Sequence, residues 1–184
     1  MAMDEGERER RANLLGAFAL VVADRLRAET EAAVGHSGAA AAALVTIVQF
    51  PGRTVEFLRR AVGLSHPAAV RVVDRLVEER LVRRRAAGPG PAVALTATAA
   101  GRRAARRILD VRRDVLAGAM PELTPAEAET LTAILERALA AQADTPGTTI
   151  CRLCDMSRCR RIDCPVVDRQ VALGHPPPDF EPVP

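Results

Sequence analysis

The chain has 184 residues, a formal net charge of +3, four Phe, and neither Trp nor Tyr. This length is enough for one domain with its own core, and so few aromatic side chains favour Ala, Leu, Val and Ile between packed helices over a β-sandwich. The charged N-terminus and the short, interrupted apolar stretch from Leu14 to Val22 argue against a signal peptide and a membrane span. We therefore expect a cytoplasmic protein with no membrane partner.

Positive charge is concentrated in the middle of the chain. Residues 53–113 hold fifteen Arg against five acidic residues, and the chain contains no Lys. A concentrated basic region is the electrostatic signature of a nucleic-acid-binding protein. The alternative is that these arginines only form a solvated surface.

The apolar residues of the first half of the chain follow helical spacing. They predict four helices, over about 8–33, 38–49, 54–62 and 66–80. The last two are joined by a tight turn at Gly63-Leu64, and Thr54 and Ser65 stand where residues cap the third and the fourth helix. Two helices across a short glycine-containing turn are typical of the helix-turn-helix motif.

The fourth helix has two different faces. The predicted buried stripe consists of Ala69, Val72, Val73, Leu76 and Val77. The opposite face carries Arg71 and Arg75, one turn apart, as a recognition helix does in the major groove of DNA. The alternative is that one of the two, Arg75 rather than Arg71, pairs with Asp74 or Glu78 and serves the fold.

A hairpin and two more helices follow. Two short strands across a Gly- and Pro-containing tip predict a wing, and helical patterns resume behind it, over about 81–85, 92–95, 98–119 and 124–142. Thr124 and Glu127 have the spacing of a capping box. Because side chains alternate along a strand, Arg84 faces away from Arg83 and Arg85, so not all three can face DNA.

All four cysteines lie within fourteen residues, at Cys151, Cys154, Cys159 and Cys164. Four thiols this close can complete a tetrahedral zinc site or hold an iron–sulfur cluster. The spacing C-x2-C-x4-C-x4-C equals that of a zinc knuckle with Cys in place of His, whereas Cys164-Pro165 is a pair that also closes iron–sulfur motifs. We predict a metal site that holds zinc or, alternatively, an iron–sulfur cluster. Four metal-free or disulfide-forming thiols are the other interpretation.

The predicted organisation has five parts. They are a flexible leader 1–9, a winged-helix DNA-binding and dimerisation domain 10–143, a linker 144–149, a four-cysteine metal-binding segment 150–168 and a proline-rich tail 169–184.

Residues 63–82 read GLSHPAAVRVVDRLVEERLV, and Thr98 and Gly101 form a T-x-x-G. With these motifs the chain resembles, over about 10–143, the MarR family of winged-helix transcription regulators. The first motif is similar to the family's turn and recognition helix, G-L-S-x-x-x-x-x-R-x-V-D-R-L-x-x-x-x-L-V. One departure is at the wing tip, where Pro89-Gly90-Pro91 replaces the usual Asp-x-Arg that carries an arginine into the minor groove.

The resemblance implies a mainly α winged helix-turn-helix fold and a homodimer that binds a palindromic DNA operator, as a repressor. The terminal helices would pair with those of the second copy, in agreement with their apolar stripes, which little can cover inside one subunit. Members of the family often bind aromatic small molecules, so an effector is a further expected partner. The candidate DNA contacts are Ser65, His66, Ala68, Arg71, Arg75, Arg83, Arg84 and Arg85.

A second hypothesis is a thiol-redox or protein-interaction module built on a degenerate winged helix. The pair Cys151 and Cys154 and the missing wing arginine favour it, but no strand–helix context surrounds that C-x-x-C. Neither a Ser/His/Asp nor a paired-carboxylate constellation is found in the sequence. We therefore do not expect an enzyme.

Overall fold

Helices make up most of the chain, and they surround one small antiparallel sheet. The computed structural model describes residues 4–36, 38–86, 93–144, 149–158 and 164–175. In chain order the elements are α1 (Glu5–Val34), α2 (Gly38–Gln49), α3 (Val55–Val62), α4 (His66–Glu78), β1 (Val82–Ala86), β2 (Val93–Ala97), α5 (Ala99–Ala117), α6 (Pro125–Ala141), a 3-10 turn (Thr149–Cys151) and α7 (Pro165–Ala172). The predicted mainly α winged helix-turn-helix fold is confirmed.

The alanine-rich helix α2 forms the centre of the core. Every residue from Ala41 to Ile47 is buried. Large side chains of α3, α4, β2 and α5 pack in the same cluster, namely Leu58, Leu76, Leu95 and Ile108. Alternating small and large side chains across facing elements fills such a core without voids. Each of these buried large side chains contributes about 1.5–3 kcal/mol.

Side-chain caps fix the boundaries of the helix-turn-helix. The hydroxyl of Thr54 accepts a hydrogen bond from the Phe57 amide (3.3 Å), and that of Ser65 accepts one from Ala68 (3.4 Å). The helix α3 ends at Gly63, whose φ of 75° lies in the left-handed region that glycine favours. Both predicted caps are therefore confirmed.

The wing is anchored to the rest of the fold at its base. Val82 of β1 pairs with Ala97 of β2 in antiparallel register. The loop before α3 joins the sheet edge, because Gly52 donates to the Leu95 carbonyl (2.8 Å) and Leu95 donates to the Arg53 carbonyl (2.9 Å). The wing tip Pro89-Gly90-Pro91, where the sequence departs from the Asp-x-Arg of the MarR family, lies outside the described residues.

The structure differs from the predicted boundaries at both ends of the chain. The helix α1 already begins at Glu5, after the N-cap Asp4, so residues 5–9 are helical although we expected a flexible leader. The helix α7 crosses the expected boundary between cysteine segment and tail at residue 168. This helix was not predicted from the sequence, although Pro165 suits a first helical turn.

Within the described ranges, no single helix has the length and apolar character needed to cross a membrane. Only α1 and α2 taken together, as a pair bent by 69°, reach that length and composition.

A close backbone contact joins the wing to α5. The Thr98 amide donates to the Leu81 carbonyl (2.9 Å), and the Thr98 hydroxyl donates to the Arg80 carbonyl (2.8 Å) and accepts from the Gly101 amide (3.0 Å). A Cβ atom at Gly101 would lie 2.1 Å from the Leu81 carbonyl oxygen. Only glycine therefore fits at the last position of the T-x-x-G motif.

We predict that Gly101→Ala lowers the free energy of unfolding by about 1–3 kcal/mol or more, because the Leu81 backbone must move to admit the methyl group. Urea unfolding measures the change. The control is Gly6→Ala, whose new methyl group would meet only the Asp4 carboxylate oxygens at 3.9 Å. The control should change stability by less than about 0.5 kcal/mol. Equal unfolding midpoints for the two variants would contradict the prediction.

Candidate nucleic-acid interface and cysteine segment

The helix α4 is held by one face and exposes the other. Ala69, Val73 and Leu76 are buried. Arg71 points outward, is exposed, and forms neither a hydrogen bond nor an ion pair with any other described residue. An unpaired guanidinium on the outer face of a capped helix is free to bind an anion or a base edge.

The other candidates at the start of α4 lie within one turn of the helix terminus. Ser65 uses its hydroxyl for the cap. His66 is exposed, with its Nδ1 atom 3.9 Å from Glu56 Oε2, and Ala68 is half-buried. The structure thus places these three residues next to each other and close in sequence to Arg71.

Arg75 is engaged inside the chain. Its Nε donates to Glu79 Oε1 (2.9 Å), and its Nη2 donates to the Gly35 carbonyl (3.5 Å). The partner is therefore Glu79, and not Asp74 or Glu78 as the alternative interpretation has it. This arginine ties the end of the recognition helix to the loop that follows α1.

The three arginines of the wing base differ in their surroundings. All three are exposed, but Arg84 Nη2 donates to Asp74 Oδ1 of α4 (2.6 Å), whereas Arg83 and Arg85 have no such partner among the described residues. Arg83 and Arg84 line a groove of about 680 Å³ at the foot of the wing, together with Arg80. Arg84 therefore holds the wing against α4, and the side chains of Arg83 and Arg85 make no ion pair with the described residues.

A cavity of about 570 Å³ lies where the end of α1 meets α4 and α5. His36 is 4% exposed there, its Nε2 atom lies 2.5 Å from Glu79 Oε2, and its Nδ1 atom has no hydrogen-bond partner in the described part of the chain. Arg103 and Arg107 of α5 line the same cavity. The sequence predicts none of this, because His36 stands alone at a helix break and its partners are distant in the chain.

Two of the cysteines form a contact pair. The Cys154 amide donates to the Cys151 carbonyl (3.0 Å). The pKa of the Cys154 thiol is lowered to about 6 by a hydrogen bond from the Cys151 side chain and by the charge of Arg112, whereas burial and Asp155 act in the opposite direction. The lowered pKa favours the thiolate form of Cys154, which lies one short turn from Cys151.

The third described cysteine lies close to this pair. Cys164 is buried beside Ala143 and Val166, and Cys151 packs against the same small cluster. No disulfide joins the three described cysteines. Among the described ranges no three Cys, His, Asp or Glu side chains are arranged to hold a metal ion, and Cys159 lies outside those ranges.

These features define a winged-helix protein with an outward-facing arginine on its recognition helix and a cysteine segment beyond its last long helix. A model of the MarR family matches residues 35–90, which span the helix-turn-helix and the first wing strand. No curated protein sequence matches the chain.

Solved structures share the fold. The MarR family protein Rv2887 of Mycobacterium tuberculosis in complex with DNA is 24% identical, with a TM-score of 0.58 over 69% of this chain and 95% of that one. The same protein in complex with salicylic acid is 25% identical, with a TM-score of 0.54 over 68% and 93%. The multiple antibiotic-resistance repressor of Listeria monocytogenes is 16% identical, with a TM-score of 0.57 over 77% and 98%. At these identities the likenesses establish the winged-helix fold of MarR proteins.

Proposed function

We propose that the protein is a MarR-family transcription regulator that binds double-stranded DNA as a homodimer and acts as a repressor. The observation that carries the proposal is the exposed, unpaired Arg71 on the outer face of a recognition helix whose inner face is buried. The structure of the Mycobacterium tuberculosis relative with DNA and the repressor from Listeria monocytogenes support it.

The candidate residues would contact different parts of the DNA, according to their positions in the structure. Arg71 would enter the major groove, where a guanidinium pairs with guanine O6 and N7. Near the helix start, Ala68 would contact a thymine methyl group and His66 a base or phosphate. Arg83 and Arg85 would hold phosphates, which set position but not sequence. Arg84 would mainly keep the wing in place, since Asp74 already occupies its guanidinium.

The homodimer would form on the uncovered faces of the terminal helices. Leu15 of α1 is 69% exposed and Leu135 of α6 is 51% exposed. No residue of α6 is buried, and α1 buries only Thr30. Further large apolar side chains of these two helices are also exposed, namely Leu14, Phe18, Leu20, Val21, Ile134 and Leu139. Apolar surface of this extent marks an interface, and a two-fold dimer is the commonest way to cover it.

We predict that Arg71→Ala raises the Kd for a duplex selected by the wild-type protein about 5- to 150-fold, because a bidentate base contact is worth about 1–3 kcal/mol. Fluorescence anisotropy measures the affinity. The matched control is Arg27→Ala, which also removes one exposed arginine, but from the ion pair with Asp24 on α1.

We predict that Leu135→Glu, which places a charge in the proposed dimer interface, is a monomer that binds DNA poorly. Sedimentation measures its oligomeric state, and the same affinity assay measures its Kd. Wild-type affinity in Arg71→Ala would contradict the proposed base contact. A wild-type protein that binds DNA as a monomer would contradict the proposed homodimer.

The cavity beside His36 is where we expect a small aromatic carboxylate to act as effector. Arg103 and Arg107 supply positive charge at the wall of the cavity, whereas the Nδ1 atom of His36, another lining residue, is buried. Glu79 connects the cavity to α4, because it contacts both His36 and Arg75. A ligand that moves Glu79 would therefore act on the recognition helix. The relative bound to salicylic acid supports this ligand class.

Calorimetric titration with salicylate tests the effector site. Arg103→Ala should weaken binding about tenfold or more, as expected for a lost hydrogen bond to a charged group. The control Arg113→Ala removes an arginine of the same helix that pairs with Asp110 and Asp114 instead of lining the cavity. Equal affinities of the two variants would place the ligand elsewhere.

We also propose that the four cysteines hold a metal, zinc or alternatively an iron–sulfur cluster. The contact between Cys151 and Cys154 and the packing of Cys151 near Cys164 support a common centre, to which Cys159 would supply the fourth sulfur. When bound, zinc would cross-link the segment and add stability. The Cys154 thiolate is the form that binds a metal.

Elemental analysis and a visible spectrum of protein purified without air test the centre. One zinc per chain without a visible band indicates a zinc site, and iron with sulfide in a brown sample indicates a cluster. Cys154→Ser should lose most of the metal, whereas the neighbouring Ser157→Ala should keep it. Protein without metal would leave the thiols as the reactive groups and refute the metal site.

The alternative function, a thiol-redox or interaction module, is favoured by one observation, the lowered pKa of Cys154 beside Cys151. Reactive dithiols have such a thiolate. A protein that binds neither DNA nor metal, and whose thiols take part in thiol–disulfide exchange, would support this alternative.

A further inference from the structure

The helix α4 ends with an arginine in a backbone conformation that glycine normally supplies. Arg80 follows the C-cap Glu79, and its φ of 59° lies in the left-handed region. The Arg80 amide donates to the Val77 carbonyl (2.9 Å), and the Leu81 amide donates to the Leu76 carbonyl (2.9 Å). These two bonds form a Schellman motif, whose left-handed position is usually occupied by glycine. An arginine here therefore makes the turn less stable than a glycine would.

Three other helices of the described chain are followed by a residue in the same conformation, and each time it is glycine. Gly35, Gly63 and Gly174 follow α1, α3 and α7 with φ of 71°, 75° and 74°. Among the described residues, Arg80 is the only one other than glycine with a positive φ. A side chain that is kept at a strained position indicates a function beyond the local fold.

Arg80 lines the groove of about 680 Å³ at the foot of the wing, with Arg83 and Arg84 of β1. None of the described lining residues is acidic, since the others are Val77, Val82, Thr98, Ala99 and Ala100. Asp74 occupies the guanidinium of Arg84. The side chains of Arg80 and Arg83 are exposed and form neither a hydrogen bond nor an ion pair with any other described residue. The groove therefore has two unengaged guanidinium groups and an excess of positive charge.

We propose that this groove is a phosphate-binding site, in which Arg80 and Arg83 hold one phosphate group. A guanidinium matches phosphate oxygens in shape and binds them through two parallel, charge-assisted hydrogen bonds. The backbone of a DNA duplex and a small phosphorylated anion both supply this chemistry. With DNA as the source, the inference rests on the proposed function and adds Arg80 to its backbone contacts. With a small anion as the source, it is independent of DNA binding.

The strain at residue 80 gives the site a distinctive test. A glycine at this position would stabilise the turn and would also remove one of the two unengaged guanidinium groups. Stability and phosphate affinity should therefore change in opposite directions in Arg80→Gly. A merely structural role of the Arg80 side chain would not produce this combination, because stability would then fall.

The experiment uses the full chain and three variants of the groove, Arg80→Gly, Arg80→Asn and Arg83→Ala. Asparagine tolerates the left-handed region but is uncharged, so Arg80→Asn is a second variant that keeps the turn. The matched control is Arg27→Ala, which removes an exposed arginine from its ion pair with Asp24 on α1.

Three quantities are measured for each protein. Urea unfolding gives the midpoint, and calorimetric titration with inorganic pyrophosphate gives the Kd for a free phosphate anion. Fluorescence anisotropy at several salt concentrations gives the Kd for the selected duplex and for a duplex of random sequence.

Arg80→Gly should raise the urea midpoint, whereas Arg83→Ala should not, because β1 has an ordinary strand conformation. All three groove variants should bind phosphate more weakly, and Arg27→Ala should behave like the wild type. Pyrophosphate binding weakened about tenfold or more, with unchanged duplex binding, identifies a small phosphorylated anion as the ligand. An equal loss of affinity for both duplexes, with a log–log salt slope smaller by about one, identifies a phosphate of the DNA backbone.

The inference is overturned if Arg80→Gly changes neither the pyrophosphate affinity nor the salt slope of duplex binding. It is also overturned if the urea midpoint of Arg80→Gly falls below that of the wild type, since the side chain would then serve the fold. A wild-type protein that binds no duplex refutes only the proposed regulator. The pyrophosphate titration then decides alone whether the groove binds phosphate.

Discussion

The contact between Gly101 and the Leu81 carbonyl is the constraint on which the arrangement of the winged helix depends. At this point the backbones at the end of α4, before the first wing strand and at the start of α5 are in direct contact. Thr98 satisfies the polar groups of the junction, since it bonds to Arg80, Leu81 and Gly101. This junction therefore fixes the position of α4 relative to the wing and to α5.

Much of the fold follows from local chemistry that the sequence displays. Thr54, Ser65 and Thr124 each stand at a predicted cap, and in the structure each accepts the expected backbone hydrogen bond. Gly63 has the left-handed conformation that the turn requires. These features depend on residues three or four apart, and such short-range rules are readable without a structure.

The parts that the sequence does not predict depend on long-range contacts. His36, between α1 and α2, contacts Glu79 at the end of α4, and Gln49 donates a hydrogen bond to Cys154 across 105 residues. No spacing rule connects such pairs, because their proximity is created only by the packing of elements that are distant in the chain. Arg75 is a different case, because its partner Glu79 stands at the i,i+4 spacing at which helical side chains meet, so the sequence alone could have indicated it in place of Asp74 or Glu78.

The ion pair between Asp74 and Arg84 changes how the basic character of the chain should be counted. An arginine that is already paired with a carboxylate neutralises few phosphates, so few counterions leave the DNA when it binds. This release of counterions is what makes protein–DNA affinity fall as ionic strength rises. Arg84, Arg75 and Arg59 are each occupied by a carboxylate of the same subunit. In the proposed complex with DNA, the number of phosphates neutralised per subunit would therefore be below the fifteen arginines of residues 53–113, and the affinity would depend less on ionic strength than that count suggests.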